Sequence, residues 1–395
     1  MSGSDRPVSS GAAADVAEAV ASVRNDLEAL AVLTLHLVPG VGPRLASRLM
    51  ERFGSARSVL NASDAELREV PGISGKTITA LRTAIDEGHA GRELQQCEAA
   101  GIGVMTLGSP FFPRPLQHIP DPPLVLYFRG RWLARDELAV AIVGSRHCTH
   151  YGRRQTERLA GALARAGFTI VSGLARGIDG VAHEAALRAG GRTIAVTASG
   201  LQRIYPPEHS GLAERIVADG ALLTECRAET PARAGLFPRR NRLISGLALG
   251  VIIVEARRNS GALHTARHAM EQGREVMAVP GPVDSLASEG CLALLRDGAT
   301  LVRHADDVLE SIGPPPHPIR TPSGEEVRSL RQLRLNDRER NVLELVTDRQ
   351  QHLDELLRQT EIDAAQVVAT LTVLEMKRLV RRLPGGFYVR CDTIE

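Results

Sequence analysis

The sequence predicts an α/β protein with a mostly parallel sheet, which a helical segment precedes and a winged helix-turn-helix follows. Between about residues 100 and 312, short β-branched runs such as Val140-Ala141-Ile142-Val143 alternate with helical patterns, as in successive βαβ units. Residues 29–99 are helical in pattern and contain two similar Pro-Gly turns. Residues 331–395 contain three helical stretches and then a hairpin, which is the element order of a winged helix.

Length and composition restrict the class of protein. The 395 residues are enough for about two or three domains. No apolar run approaches the roughly 20 residues that a membrane span requires, and the N-terminus lacks the pattern of a secretory signal. We therefore expect a cytoplasmic protein that does not contact a membrane.

The cysteines and the basic residues narrow the expectations further. The five cysteines are scattered and lack C-x-x-C spacing, which argues against a disulfide framework and a zinc site. They are Cys97, Cys148, Cys226, Cys291 and Cys391. Net charge is only +2, and among 48 lysines and arginines only Lys76 and Lys377 are lysines. Such a bias suggests a GC-rich coding sequence, so an arginine cluster is informative only beside a Gly-rich turn or a strand end.

The N-terminal part begins with a predicted flexible tail. Residues 1–28 are rich in Ser, Ala and Gly, so we expect a flexible tail that gives way to a helix by about Val16. In residues 29–99, the turns Val38-Pro39-Gly40-Val41-Gly42-Pro43 and Val70-Pro71-Gly72-Ile73-Ser74-Gly75-Lys76 resemble the turn of a helix-hairpin-helix. Glycines there let backbone N–H groups approach a phosphate. DNA contact and protein contact are both compatible with this doublet.

The α/β region, residues 100–312, is predicted from its alternating patterns. The predicted strands are 140–143, 168–171, 193–196, 222–224, 251–254, 276–279 and 300–302. The predicted helices are 152–166, 178–189, 263–272 and 291–296. Parallel strands bring their carboxyl ends to one edge of the sheet, where ligands bind near the point at which strand order reverses.

The stretch 237–255 is the centre of this region. It places Arg239, Arg240 and Arg242 around Asn241, behind Phe237. Because arginine is poor core material, we expect all three arginines to face water or an anion. A phenylalanine beside them offers a flat surface on which a base can stack. The alternative is a solvated helix start that happens to be rich in arginine.

Four turns at strand ends carry glycine, hydroxyl and arginine side chains that suit a phosphate. The candidate residues in these turns are Gly144, Ser145, Arg146, Tyr151, Gly173, Arg176, Arg203, Ser260, Gly261 and Thr265. We expect Arg146, Arg176 and Arg203 to converge with the three arginines of the central stretch on one face. A DNA-binding surface is the prediction.

An enzyme finds little support in the same turns. Neither G-x-G-x-x-G nor G-x-x-x-x-G-K-[ST] occurs at the expected places, so dinucleotide and Walker-type triphosphate binding are poorly supported. Ser172, Asp179 and His183 form a conceivable triad, but nothing resembles G-x-S-x-G around the serine. Metal-ligand spacings and paired carboxylates are also absent. We expect no catalytic residue, metal or cofactor.

The C-terminal part follows a Pro-rich linker, residues 313–330. In the winged helix, Asn336 caps the first helix, residues 353–360 form the second, and Asp363 caps the third. The presumed recognition helix, 364–370, is short of side chains that read bases. Basic side chains lie instead at Lys377, Arg378, Arg381 and Arg382. These residues favour a module for protein contacts or weak phosphate contacts over a sequence-specific reader.

The order of these motifs resembles the DNA-processing protein A family (DprA, also called Smf). The likeness covers about residues 100–305 and rests on five motifs, Gly-Ser-Arg…Tyr-Gly, Ser-Gly-Leu-Ala-Arg-Gly-Ile-Asp…Ala-His, Phe-Pro-x-Arg-Asn-Arg-x-Ile, Val-Glu-Ala…Ser-Gly…Thr-Ala and Val-Pro-Gly. The helix-hairpin-helix (sterile-alpha-motif-like) front and the winged-helix tail are similar to accessory domains of that family.

The resemblance implies an extended Rossmann-like domain that binds single-stranded DNA and forms a homodimer. Family members protect incoming DNA during natural transformation and load the recombinase RecA on it, so single-stranded DNA and RecA are the implied partners. Carried over by position, the implied DNA contacts are Arg146, Arg176, Phe237, Arg240 and Arg242, with Arg203 as a weaker candidate.

The sequence departs from the family pattern at two places. A second class of protein has its turns in similar places. Ala262 replaces the second serine of Ser-Gly-Ser-Leu-x-Thr-Ala, with His264 at its variable place, and Leu292 stands where Asn is common. The competing class is the related nucleoside-monophosphate hydrolases, whose Pro-Gly-Gly-x-Gly-Thr-x-x-Glu signature is missing here. If that function held, Glu255 would be the carboxylate to test.

Overall fold

The computed structural model describes residues 10–312, 319–320, 326–327, 337–347, 349–360, 362–376 and 379–391. The chain forms two compact units, one reaching to His304 and one beginning at Ala305. Within the described residues, no helix has both the length and the apolar character needed to cross a membrane.

The first unit opens with helices. They are α1 (Ser10–Asn25), α2 (Leu27–Leu37), α3 (Pro43–Phe53), α4 (Ala56–Asn61), α5 (Asp64–Arg68), α6 (Gly75–Asp86) and α7 (His89–Ala99). The helix that the sequence predicts by about Val16 is present and begins at Ser10, so residues 10–25 of the predicted tail 1–28 are helical. In α1, Val16, Ala19, Val20 and Val23 recur at helical spacing and are all buried, so the helix is held by packing along one face.

The two predicted hairpin turns have the same backbone geometry. Gly40 and Gly72 both have positive φ, +90° and +92°, which glycine adopts without strain. In the first turn the Val41 N–H donates to Val38 O at 3.1 Å, and in the second the Ile73 N–H donates to Val70 O at 3.2 Å. Residues 38–43 and 70–76 are thus a structural repeat, as their sequences predict.

A nine-stranded sheet forms the centre of the unit, in the order β1-β2-β6-β5-β4-β3-β7-β8-β9. Its strands are β1 (Gly103–Thr106), β2 (Val125–Gly130), β3 (Ala139–Val143), β4 (Thr169–Ser172), β5 (Thr193–Val196), β6 (Ala221–Thr224), β7 (Gly250–Ile253), β8 (Glu275–Ala278) and β9 (Thr300–Leu301). All seven predicted strands are confirmed to within two residues. The strands β1 and β2, which pair antiparallel at one edge, were not predicted.

The order of the parallel strands reverses between β3 and β7. From β3 the chain proceeds through β4, β5 and β6 in one direction, and β7, β8 and β9 then extend from the other side of β3. The carboxyl ends of β3 and β7 therefore border the crevice in which open α/β sheets bind ligands.

Helices cover the sheet. They are α8 (Arg114–Gln117), α9 (His150–Arg165), α10 (Ile178–Arg188), α11 (Ser210–Asp219), α12 (Leu236–Leu247), α13 (Ala262–Glu271) and α14 (Glu289–Arg296). The helix α11 was not predicted. The helix α12 carries the Arg-rich stretch, and its apolar residues Leu243, Ile244 and Leu247 are buried in one cluster with strand residues.

The helical segment and the sheet share a hydrophobic core. One cluster joins residues of α2, such as Leu33 and Leu35, to Val125 and Tyr127 of β2 and Leu222 of β6. An ion pair of 3.0 Å between Glu93 and Arg227 crosses the same boundary. Residues 29–99 and the α/β region therefore lie in one compact unit.

The second unit contains the helices α15 (Ala305–Ser311), α16 (Asp337–Leu345), α17 (Leu353–Arg358) and α18 (Ala364–Met376). Two residue pairs, β10 (Ile319–Arg320) and β11 (Glu326–Val327), form an antiparallel ladder inside the predicted linker. The strands β12 (Gln351–His352), β13 (Val380–Leu383) and β14 (Phe387–Arg390) form a sheet in the order β12-β14-β13.

This second unit is a winged helix. Val367, Leu371 and Leu374 of α18 are buried in a cluster with Leu356 and Tyr388. The outer side of α18 exposes Val368 and Val373, at 38% and 37%. Asp363 accepts from the Ala365 N–H at 2.8 Å, as predicted for a cap. Asn336, Lys377 and Arg378 lie outside the described residues.

Candidate nucleic-acid interface

A cavity of about 500 Å³ lies at the carboxyl ends of β3 and β7, where strand order reverses. The first turns of α12 and α13 close it from the side. Nine predicted residues line it, Gly144, Ser145, Arg146, Phe237, Arg240, Asn241, Ser260, Gly261 and Thr265. The predicted turns after β3 and β7 and the Arg-rich stretch thus meet at one place.

The mouth of the cavity combines a cation with an aromatic ring. The guanidinium carbon of Arg146 lies over the Phe237 ring, 4.6 Å from its centroid. Arg146 is exposed, and Phe237 is partly exposed. The ring quadrupole attracts a cation over its face, so Arg146 is held beside Phe237. This pair therefore offers a planar stacking surface and a phosphate donor together.

Arg240 lies deeper and is almost fully buried, at 6% exposure. Its Nη1 donates to Gly173 O and, at 2.5 Å, to Val196 O, while its Nε donates to Asn241 Oδ1 at 3.2 Å. Burial lowers the pKa of Arg240 to about 10, against the attraction of Asp179. The residue stays cationic at neutral pH. Its charge therefore makes the cavity attractive to an anion.

Gly173 is a predicted site residue whose role is to make room. A methyl group at this position would overlap the Arg240 guanidinium. The Gly173 N–H donates to Asp179 Oδ2 at 3.1 Å, and burial raises the pKa of Asp179 although Arg240 opposes this. Gly173 does not line the cavity; it allows Arg240 to reach the carbonyls at the ends of β4 and β5.

Arg242 does not line the cavity either. Its Nη2 forms an ion pair with Glu225, its Nη1 donates to Asp121 O, and the residue is 6% exposed. Gln272 Nε2 donates to its carbonyl oxygen at 2.9 Å. The expectation that all three arginines of the stretch face water or an anion is therefore wrong for Arg242, whereas Arg240, although buried, lines the cavity. Only Arg239 is exposed, and it borders two smaller cavities on the side of the first hairpin turn.

The remaining predicted residues lie outside the cavity. Arg176 is exposed and pairs with Glu208 at 2.5 Å, and Arg203 is exposed on the turn after β5. The Tyr151 hydroxyl donates to Pro280 O at 2.6 Å. Of the six arginines predicted to converge on one face, Arg146 and Arg240 line the cavity, and the other four lie outside it.

The loop before α13 is fixed by the Arg-rich stretch. Asn241 Nδ2 donates to Gly261 O at 3.1 Å, and the Ala262 N–H donates to Ser260 Oγ at 3.3 Å. Ala262 and His264 also line the cavity. The hydroxyl that the alanine lacks is thus missing from the cavity wall, as the departure from the family pattern predicts.

Several contributors were not among the predicted site residues. Asp179, Arg257, Asn259, His147 and His264 line the cavity. Asp179, Asn259 and His264 lie in turns that follow predicted strands, so their position was a usable signal. Nothing in the sequence distinguishes His147 or Arg257 from other exposed basic residues.

The catalytic alternatives do not assemble. Ser172 Oγ donates to Ile142 O at 2.6 Å, and His183 Nδ1 shares a 2.7 Å hydrogen bond with Thr193 Oγ1. Glu255 is 3% exposed, and its carboxylate accepts from Thr149 N and Oγ1 at 2.8 and 2.5 Å. Glu255 therefore binds Thr149, the residue that caps the N-terminus of α9. In the part of the chain that the structure describes, no three His, Cys, Asp or Glu side chains group as a metal site requires.

Comparisons with known proteins agree with this architecture. Residues 103–313 match the family model described as DNA recombination-mediator protein A, residues 326–386 match the DprA winged helix domain, and residues 32–87 match a SAM-like helix-hairpin-helix tandem. Protein Smf of Synechocystis sp. is 40% identical over 280 residues, 70% of each chain. DNA processing protein DprA of Bacillus subtilis is 42% identical over 222 residues, 56% of this chain and 75% of that protein.

A solved structure supports the fold directly. The X-ray structure of DNA processing protein A from Streptococcus pneumoniae is similar at 32% identity with a TM-score of 0.63, and the likeness covers 71% of this chain and 96% of that one. The predicted fold class, a Rossmann-like α/β region between a helix-hairpin-helix region and a winged helix, is confirmed.

Proposed function

Because the chain belongs to the DNA recombination-mediator protein A family, we propose that it binds single-stranded DNA at the cavity lined by Phe237, Arg146 and Arg240. The proposal includes protection of the strand and its transfer to the recombinase RecA during natural transformation, in the cytoplasm. It assigns no reaction to the chain. The single observation that carries it is the Arg146 guanidinium over the Phe237 ring at the mouth of a cationic cavity.

Single strands fit this chemistry better than duplexes. A base face can stack on Phe237 or on the Arg146 plane only when it is not already paired and stacked inside a helix. Phosphates find the exposed Arg146 at the rim and the buried positive charge of Arg240 behind it. Neither group reads base identity, so we expect little dependence on sequence.

The test is fluorescence anisotropy of a labelled dT oligonucleotide, compared with a blunt duplex of equal length at several salt concentrations. The wild-type chain should bind the single strand more tightly. Phe237→Ala should weaken binding by about 1–3 kcal/mol with nearly the same salt dependence, because stacking releases no counterion. Phe111→Ala is the matched control, since Phe111 is 38% exposed but outside the cavity. Equal affinity for single strand and duplex would contradict the proposal.

The winged helix should contribute less to affinity. The described residues of α18 include no Arg or Lys, and the outer side of this helix exposes Val368 and Val373. Deletion of residues 313–395 should therefore leave most single-strand affinity intact. If the deletion abolishes binding while Phe237→Ala has no effect, the winged helix is the DNA reader and the cavity is not.

We also propose that the chain forms a homodimer through the α/β region. The strand β9 is an edge strand, and Leu301 on it is 45% exposed. An edge strand with an exposed apolar side chain is suited to self-association. Sedimentation of the full chain should show a dimer that Leu301→Arg weakens. A monomer at tens of micromolar would count against this assembly.

RecA transfer needs its own experiment. A pull-down of RecA from lysate, with and without oligonucleotide, asks whether the chain contacts the recombinase directly. Capture that requires the oligonucleotide, and that nuclease treatment reverses, would show only that both proteins share a strand. Capture in both conditions supports a direct contact.

A further inference from the structure

Tyr205 lies beside Phe237 but outside the residues that the sequence predicts for the site. We infer that Tyr205 is a second stacking platform for the strand, and that Glu208 competes with a DNA phosphate for Arg176. This inference rests on the proposed function, because it concerns the path that the strand follows after Phe237.

The two rings form a pair on the surface. Their centroids are 5.9 Å apart and their planes cross at 67°. Tyr205 is 37% exposed. Each ring also has an arginine over it, Arg146 at 4.6 Å from the Phe237 centroid and Arg176 at 5.8 Å from the Tyr205 centroid. The same cation-aromatic combination thus occurs twice in succession.

The spacing of the rings suits two neighbouring bases that are not stacked on each other. Stacked bases of one strand follow at about 3.4 Å, whereas these ring centroids are 5.9 Å apart and tilted. One base on each ring requires the strand to separate its bases and to turn at this step. A single strand tolerates such a turn, and a duplex does not without unpairing.

The positions of Tyr205 and Arg176 indicate the path of the DNA along the edge of the sheet. Tyr205 follows β5, and Arg176 follows β4, so both lie away from β7 along the carboxyl edge of the sheet. Arg203 is exposed on the same turn as Tyr205. The strand therefore leaves the cavity across the ends of β4 and β5, and Arg176 and Arg203 are phosphate contacts on that path.

The turn that carries Tyr205 is held in place. The His209 ring Nδ1 donates to Leu174 O at 2.8 Å, which ties the segment after Tyr205 to the turn after β4. Glu208, in the 3₁₀ turn Pro207–His209, pairs with Arg176 at 2.5 Å, and both side chains are about half exposed, 51% and 45%. A carboxylate in that position occupies the guanidinium that a phosphate would take, so it weakens binding.

The first test replaces the ring. Tyr205→Ala should lower affinity for a dT oligonucleotide at least fivefold, which is the smallest effect expected for the loss of one base stack, about 1 kcal/mol. The salt dependence should stay unchanged. Tyr205→Phe keeps the ring and should bind within about twofold of wild type. Wild-type affinity of a folded Tyr205→Ala chain would overturn the platform.

The inference and the proposed function fail differently. If the wild-type chain does not prefer single strands, or Phe237→Ala binds normally, the proposed function fails. If Phe237→Ala is impaired and Tyr205→Ala is not, the cavity holds the strand but the path is wrong. If Tyr205→Ala does not fold, photocrosslinking of the wild-type chain to a 5-iodouracil oligonucleotide replaces it as the test. Adducts at both Tyr205 and Phe237 support the inference, and adducts at Phe237 alone overturn it.

The second test concerns Glu208. Glu208→Gln frees Arg176 and should tighten single-strand binding up to about fivefold, with a steeper salt dependence. Glu214→Gln is the matched control, because Glu214 pairs with Arg129 of β2 at 2.8 Å and makes the same change in net charge elsewhere. If the two variants bind alike, Glu208 does not compete for Arg176.

Discussion

The arginines of α12 and those of the turns at the sheet edge lie within one region but differ in what they do. Arg240 and Arg242 are each 6% exposed and bind protein groups, whereas Arg146 and Arg176 are exposed at the rim. In the Arg-rich stretch 239–242, two of the three arginines are buried. Density of charge in a motif is therefore a poor guide to which residues meet solvent.

The buried arginines hold together the strand ends and loops near the exposed arginines. Arg240 connects the ends of β4 and β5 through the carbonyls of Gly173 and Val196. Arg242 connects α12 to Glu225 after β6 and to the loop at Asp121. Loss of a buried arginine should thus reduce the stability of the fold, and loss of a rim arginine should weaken DNA binding and its response to salt with little change in stability.

The largest effect is expected for Arg242→Ala. Removing one member of a buried ion pair leaves the other charge unpaired, which costs about 3–5 kcal/mol of unfolding free energy. Urea unfolding of the variant should show this loss. The double variant Arg242→Met with Glu225→Leu should be more stable than Arg242→Ala, because no charge stays uncompensated. A fully stable Arg242→Ala chain with poor DNA affinity would reverse the comparison.

Acid should reduce the stability of the folded chain, because His183 is buried in its neutral form. This residue is fully buried, and burial lowers the pKa of its imidazole to about 3. Between pH 3 and about 6.5 the unfolded chain binds the proton and the folded chain does not, so the stability is present above pH 6.5 and decreases as pH falls. From pH 7 to pH 4, this group should account for about 3 kcal/mol. The difference in pH dependence between wild type and His183→Gln measures it, and parallel profiles would contradict it.

A smaller effect is expected for Gly173→Ala. Its methyl group must displace the Arg240 guanidinium, and such overpacking costs about 1–3 kcal/mol. Gly261→Ala is the matched control, since a methyl group there meets no atom within 4 Å. Thermal unfolding of both variants gives the comparison. If they melt alike, Arg240 has more freedom than its hydrogen bonds indicate.

The smallest change in stability is expected at the rim. Arg146→Ala should alter the unfolding free energy by no more than about 0.5 kcal/mol. The slope of log affinity against log salt should nevertheless become shallower by about 0.7, because one phosphate contact is lost. Anisotropy titrations at three or more salt concentrations supply this slope. An unchanged slope would remove Arg146 from the phosphate contacts.

The sequence was sufficient for the central fold because most of its strands are short apolar runs that contain β-branched residues and end at turn residues. It was not sufficient for β1, whose four residues begin with Gly103 and are held by pairing with β2. The helix α1 was predicted by about Val16, and Val16, Ala19, Val20 and Val23 have helical spacing. Its start at Ser10 was not predicted, because the small residues before Val16 suggested a flexible tail.

The position of the site could be predicted from the sequence, but not which of its arginines are buried and which are exposed. Turns after β3 and β7 meet where strand order reverses, and that much follows from the topology. The partners of Arg242 are Glu225 and Asp121, and the latter lies far away along the chain. No local sequence pattern indicates such pairings. The sequence therefore shows where an arginine is, but not which group neutralises its charge.

The core shared by the helical segment and the sheet bears on how the chain is made. Leu33 and Leu35 are synthesised early, but Leu222 and Ala228, which complete their cluster, come much later. At about 5–20 residues per second, the ribosome needs on the order of ten seconds to proceed from the end of α7 to Ala228. During that interval the first helices expose an apolar face whose cover does not yet exist, which is the stage at which a nascent chain depends on chaperones.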